Sequence, residues 1–227
     1  MPVTRASLSR RVVAEGVGTG LLLAAVVGSG IMGERLAGGN AAIALLANTL
    51  ATGAALSALI LTFGPISGAH FNPAVSLVDA WQGGIAWREV PGYAAAQLAG
   101  AFAGVAAAHL MFGEPLFAFS THARSGGAQA FSELVATFGL LATIWGTSRL
   151  RSDAVPFAVA AYITSAYWFT ASTSFANPAV TLARATTNTF SGIRPEDVPA
   201  FLLAQLAGAL LATALFRWLI PAPRQPA

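Results

Sequence analysis

The side chains able to do chemistry are few, and most recur in pairs. Asn72-Pro73-Ala74 and Asn177-Pro178-Ala179 repeat one tripeptide, and Glu15 and Glu133 are lone acids in apolar stretches. His70, His109 and His122 are scattered through a chain that has no cysteine. This set holds no acid–base pair, activated nucleophile or phosphate loop. Separated histidines without cysteine make no metal site. No catalytic residue, metal or cofactor is therefore expected. The asparagines offer hydrogen bonding instead. Asparagine is a strong helix N-cap and proline is favoured at the first helical position, so each tripeptide starts a helix. A carboxamide at such a tip can donate to the oxygen of a passing solute.

The elements that must hold these groups are membrane spans. The chain has 227 residues, 56% hydrophobic and 9% charged, with a mean hydropathy of +0.66. That charge is too little to cover a soluble domain. Apolar stretches at 17–32, 41–63, 93–112, 134–147, 155–169 and 201–216 predict six crossings, each near the roughly 20 residues a bilayer needs. All twelve basic residues are arginine. Arg5, Arg10, Arg11, Arg88, Arg149, Arg151, Arg217 and Arg224 fall on one side of six spans, and Arg35, Arg124, Arg184 and Arg194 on the other. This excess predicts cytoplasmic termini. The arginines flank spans and form no basic patch, which argues against nucleic-acid binding. A signal peptide at the N-terminus is disfavoured by Glu15, which interrupts the apolar run. The five tryptophans lie mostly near span ends, where interfacial anchoring is the default, and solvated or interfacial positions suffice for His109 and His122.

The chain is also written twice, in repeats at about 11–112 and 129–220 within one domain, 1–227. Glu15 is echoed by Glu133, Asn72 by Asn177, and Gln97-Leu98-Ala99-Gly100-Ala101 letter for letter by Gln205-Leu206-Ala207-Gly208-Ala209. Three spans per repeat is an odd number, so the second copy enters inverted and the transport path lies at the repeat interface. Helices begun at Asn72 and Asn177 should run to about residues 82 and 188, each roughly 16 Å or half a membrane. Such half-helices would meet tip to tip near the midplane with their positive dipole ends facing, which opposes cations and protons there. Gly16, Gly20, Gly100 and Gly104 would let helices approach closely, within a subunit or between subunits.

At these motifs the chain resembles the aquaporin (major intrinsic protein) family over nearly its whole length. Ser67-Gly68-Ala69-His70-Phe71-Asn72-Pro73-Ala74-Val75 is similar to its first signature, and Gln97 and Gln205 with their glycines to its third and sixth spans. The resemblance implies an all-α membrane fold of six transmembrane helices and two re-entrant half-helices in an inverted repeat. It also implies a homotetramer in the lipid bilayer with one pore per subunit, passing small-molecule solutes passively. Glu15 and Glu133 would brace the re-entrant loop of their own half by accepting its amides; the alternative is a coupling site of an ion-driven transporter. His70 would line the cytoplasmic vestibule, or sit as a satisfied buried histidine.

The resemblance breaks after the second tripeptide, where the family usually carries arginine and this chain has Val180. The family's spacing places the rest of the selectivity constriction at Thr52, Ser165 and Ser174, with Thr164 or Ala166 as substitutes if the loop before Asn177 carries a gap. All these candidates are small, which implies a wide, uncharged mouth. A bacterial subgroup associated with arsenic resistance similarly lacks the arginine. That likeness favours uncharged metalloid hydroxides, arsenous and antimonous acids, and extends to methylated arsenicals. The alternatives are a facilitator of glycerol or other small neutral solutes, a water channel, or a purely structural membrane protein. Arg184, at i+4 from Val180, would put a positive charge in the outer vestibule and attract anions such as methylarsenate, or else be held by carbonyls near the half-helix C-terminus. Compact loops and short tails suit a multi-pass protein of a bacterial plasma (inner) membrane.

Overall fold

The computed structural model of the chain describes residues 6–220; Arg5 and Arg224, counted for topology above, lie outside the described residues. Eight α-helices and no strands form among the described residues. They are α1 (Leu8–Leu36), α2 (Ala41–Ser67), α3 (Pro73–Gln82), α4 (Val90–Phe112), α5 (Gly127–Leu150), α6 (Val155–Phe169), α7 (Pro178–Arg184) and α8 (Val198–Leu219). Helices α3 and α7 are half-helices, and the other six span. Five of the six are long and apolar enough to cross a bilayer by themselves. The sixth, α6, has 15 residues, about 22 Å of helix, and a 3-10 turn at Ser152–Ala154 leads into it.

The halves match helix for helix, α1–α4 against α5–α8. Within them α1 packs on α4 and α2, as α5 packs on α8 and α6. The halves meet where α2 lies on α6 and where each half-helix touches the last helix of the other half, α3 on α8 and α7 on α4. Arg217 in the last turn of α8 donates to the Trp81 carbonyl, and Arg11 in the first turns of α1 donates to both Glu89 oxygens at 2.9 and 2.6 Å. Both ends of the described chain therefore share one face, the terminal face. The loops at 113–126 and 185–197 form the opposite, loop face.

The glycines act inside the chain. A Cβ on Gly100 would lie 2.1 Å from the Gly16 carbonyl oxygen, and one on Gly104 2.2 Å from that of Gly20. The second half repeats the contact, with a Cβ on Gly208 falling 2.4 Å from the Leu134 oxygen. Backbones at this range leave no room for any side chain.

Three expectations need correction. The second half-helix ends at Arg184, not near residue 188. Thr186, Thr187 and Asn188 are poor helix formers that bond locally instead. Thr186 donates to Ala183, Thr187 meets Thr189 at 2.9 Å, and Asn188 accepts the Thr121 amide at 3.0 Å. His109 is not solvated; it is buried and its Nε2 lies 2.7 Å from Thr187 Oγ1. Of the tryptophans, Trp81, Trp87, Trp168 and Trp218 are exposed near helix ends, but Trp145 is buried and donates to Thr213 at 2.9 Å.

Substituting Gly100→Ala should cost about 1–3 kcal/mol of stability by overpacking, seen as a lower thermal midpoint in detergent. Gly92→Ala, whose Cβ would meet only Val12 at 3.5 Å, should stay within about 0.5 kcal/mol of the parent. Equal losses at both sites would contradict the close-approach account.

Candidate functional site

The re-entrant loops are built by the same devices in both halves. Asn72 and Asn177 are extended N-caps whose Oδ1 accepts the amides of Ala74 and of Ala179 and Val180 respectively, and proline follows each. Just before each cap the backbone turns left-handed at residues other than glycine: Ala69 and Phe71 in one loop, Ser174 and Ala176 at matching places in the other. That conformation costs of order 1–3 kcal/mol per residue unless the surroundings impose it.

Here the Ser67 and Ser172 hydroxyls take the amides of Ala69 and Ser174 at 3.1 and 3.2 Å, and two carboxylates take the amides that follow. Glu15 accepts the amides of His70 and Phe71 at 2.9 and 2.7 Å, the Ser67 hydroxyl at 2.7 Å and the Gln97 amide at 2.7 Å. Glu133 accepts the amides of Phe175 and Ala176 at 2.9 and 2.8 Å and that of Gln205 at 2.6 Å. Each glutamine also donates to a hydroxyl of the half-helix, Gln97 to Ser76 and Gln205 to Thr181. Both acids are fully buried. Amides that lipid could never satisfy are thus taken up one by one.

The asparagines then tie the halves together. Asn72 Nδ2 donates to the Ala176 carbonyl and Asn177 Nδ2 to the Phe71 carbonyl, each at 2.8 Å. A carboxamide carries two N–H donors. One makes this cross-tie, and no protein acceptor among the described residues takes the other.

A cavity of about 500 Å³ runs past both asparagines. Loop residues 67–72 and 174–177 make its polar wall. Leu22, Val26, Leu56 and Ile60 face it from the first half, and Leu140, Ile144, Val159 and Ile163 from the second. Toward the terminal face it is lined by Arg11, His70 and Asp79, and toward the loop face by Thr52, Ser174, Val180 and Arg184. His70 Nδ1 lies 3.1 Å from Ser76 Oγ, and its Nε2 3.6 Å from Asp79.

Ser165 does not belong to this lining. It is exposed on the outer side of α6, with its hydroxyl turned back to the Tyr162 carbonyl at 2.7 Å. Thr164 packs toward Gly53, and Ala166 is likewise absent from the lining. Two residues on, and so on the opposite helix face, Tyr167 lines the cavity and its hydroxyl lies 3.4 Å from Thr52 Oγ1. The loop before Asn177 is two residues shorter than the assumed spacing. The apolar lining carried the correct signal: Leu56 matches Val159 and Ile60 matches Ile163, an offset of 103 that pairs Gly64 with Tyr167. At this end the cavity is therefore not lined by small residues alone; a phenol stands beside Thr52.

Arg184 is buried under the loop face, its Nε bonded to the Ser191 carbonyl. Outside the membrane, Asp197 holds the loops together, accepting the Arg124 amide at 2.7 Å and Arg194 Nη2 at 2.9 Å. Burial pushes its pKa up, toward the neutral form, but these bonds outweigh it and hold the carboxyl below its usual range. Its contribution to stability is present above the unfolded pKa and lost as pH falls through the folded one. Among the described residues no group of three potential ligands could hold a metal.

A sequence model described as Major intrinsic protein matches residues 2–154 and 148–226. The chain is similar to "Aquaglyceroporin AqpS" of Rhizobium meliloti (strain 1021), 59% identical over 96% of this chain and 93% of that one. It is also similar to "Aquaporin NIP2-3" of Zea mays, 35% identical over 82% of this chain and 63% of that one. In fold it resembles the crystallographic aquaglyceroporin of Plasmodium falciparum, with a TM-score of 0.75, 22% identity, and coverage of 95% of this chain and 98% of that one.

Truncating Tyr167→Ala should raise the flux of solutes larger than water through reconstituted protein by at least about threefold, whereas Ser165→Ala should change it by less than about 1.5-fold. A larger effect at Ser165 would return the constriction to the longer spacing.

Proposed function

Because this chain belongs to the major intrinsic protein family, whose members are passive membrane channels rather than enzymes, we propose that it conducts small uncharged solutes bearing several hydroxyls, foremost arsenous and antimonous acids. The observation that carries the reading is the channel's two-sided lining with an uncharged side chain, Val180, at the constriction. Hydroxyls can exchange hydrogen bonds with the loop backbone and the second N–H of Asn72 and Asn177. The opposite apolar wall offers no bonds to a bulk water column, so a solute with a polar edge gains most. Arginine at 180 would add a fork of donors and narrow the mouth; valine leaves it open. Thr52 and Ser174 supply hydroxyls there, and Tyr167 limits the width.

Glycerol is the second reading. It has the same hydroxyl-rich, neutral character, the Tyr167 ring suits a carbon-backed solute, and the similar Rhizobium meliloti protein is named an aquaglyceroporin. Methylated arsenicals and water are further solutes of the same path. The paired half-helix tips oppose cations at the midplane. The pore is complete within one chain, so the homotetramer we propose would multiply pores rather than build one. We place it in a bacterial inner membrane with cytoplasmic termini, on the arginine distribution.

The test is uptake of arsenous acid, glycerol and water by liposomes carrying the purified protein, against empty liposomes, with Val180→Arg alongside. Arsenous acid flux well above the empty vesicles, cut at least about tenfold by the arginine, is the expected result. Fast glycerol flux without arsenous acid flux would replace the metalloid reading with the glycerol one. No flux of any solute would overturn both.

A further inference from the structure

Arg184 lines the channel, and its guanidinium has no carboxylate in direct contact among the described residues. The side chain is 1% exposed, and its guanidinium carbon lies 3.5 Å from the centre of the Phe175 ring. Nε is bonded to the Ser191 carbonyl, while Nη1 is buried and has no hydrogen-bond partner. No carboxylate pairs with it among the ion pairs of the described residues. Arg124 approaches the same ring, 4.9 Å from its centre, and its guanidinium is held by neutral acceptors, the carbonyls of Gly192 and Ser172 and the Thr173 hydroxyl. The buried acid of this half, Glu133, is occupied by two amides and Gln205.

A buried guanidinium with an unmet donor is costly. Its retention on the channel wall asks for a use. Residues 180 and 184 share one face of α7, one turn or about 6 Å apart along its axis. An arginine at 180 would combine charge and narrowness at one point. Here the two are separated: valine leaves the constriction open, and the charge stands one turn outward.

We propose that Arg184 is the fixed cation of this channel, excluding small cations by charge while the opening beside Val180 stays wide enough for solutes larger than water. It acts through its field rather than by contact, and Arg124, behind Phe175, adds to the same positive field. This inference rests on the channel reading above and assigns the selectivity of that pore to a residue outside the constriction.

Urea and guanidinium make a probe pair of nearly equal size and shape, one neutral and one charged. Liposomes carrying the wild-type protein should pass urea and exclude guanidinium. Arg184→Gln, and Arg184→Met, whose unbranched chain keeps the packing on Phe175, should raise the guanidinium-to-urea permeability ratio by about tenfold or more, since a charge without an ion-pair partner in a low-dielectric pore acts strongly on a passing ion. Arg184→Lys, which keeps the charge, should hold the ratio within about threefold of wild type. A ratio near one in the wild type, needing no variant, overturns the proposal. So does an unchanged ratio in either neutral variant that elutes as the folded protein and still passes urea. Wild-type protein that passes no urea, glycerol or arsenous acid would instead sink the channel reading on which this one rests.

Discussion

A chain that turns back halfway across a membrane exposes amides where no water can reach them, and the structure is organised around meeting that cost. Glu15 and Glu133 meet it. Each is buried in the first turns of a long helix and accepts consecutive amides of the loop that leads to its half-helix. The left-handed residues before Asn72 and Asn177 can persist because these bonds fix the amides of Phe71 and Ala176, and Ser67 and Ser172 those of Ala69 and Ser174. Gln97 and Gln205 lock each carboxylate to a half-helix hydroxyl. With one acid per half, engaged alike, the groups behave as braces, which leaves no free carboxylate there for ion coupling.

The rest of the architecture brings these two units face to face. Glycine contacts let α1 approach α4, and α5 approach α8, at backbone distance, so each brace stands directly behind its loop. The carboxamides of Asn72 and Asn177 then reach across the interface to the other loop's carbonyl. One N–H of each asparagine is structural, and both side chains line the cavity. The same residues therefore join the halves and form the polar point of the path. The apolar wall, drawn equally from both halves, completes the lining opposite the loops.

The two halves differ at the loop-face end of the cavity. Gly64 in the first half corresponds to Tyr167 in the second, and the second half-helix has seven residues against ten in the first. The shorter half-helix ends in Arg184, which lies over Phe175 rather than at the constriction. Width and charge thus come from different turns of the path.

Much was legible in the sequence because the duplication made single features count twice. The six spans, the inverted repeat, the start of each half-helix and the absence of charge at Val180 all follow from composition, spacing and capping chemistry, which act locally. Tertiary structure decided what depends on helix rotation and loop length. A two-residue difference in the loop before Asn177 turned Ser165 outward and Tyr167 inward, because two residues of helix amount to about 200° of rotation. Packing likewise decided the fates of His109, Trp145 and Arg184, each of which a sequence places only at the end of an element. Local patterns specify which elements form and where they begin. Which face of each element meets the channel is set by the neighbours it packs against, and those are fixed only when the two halves close on one another.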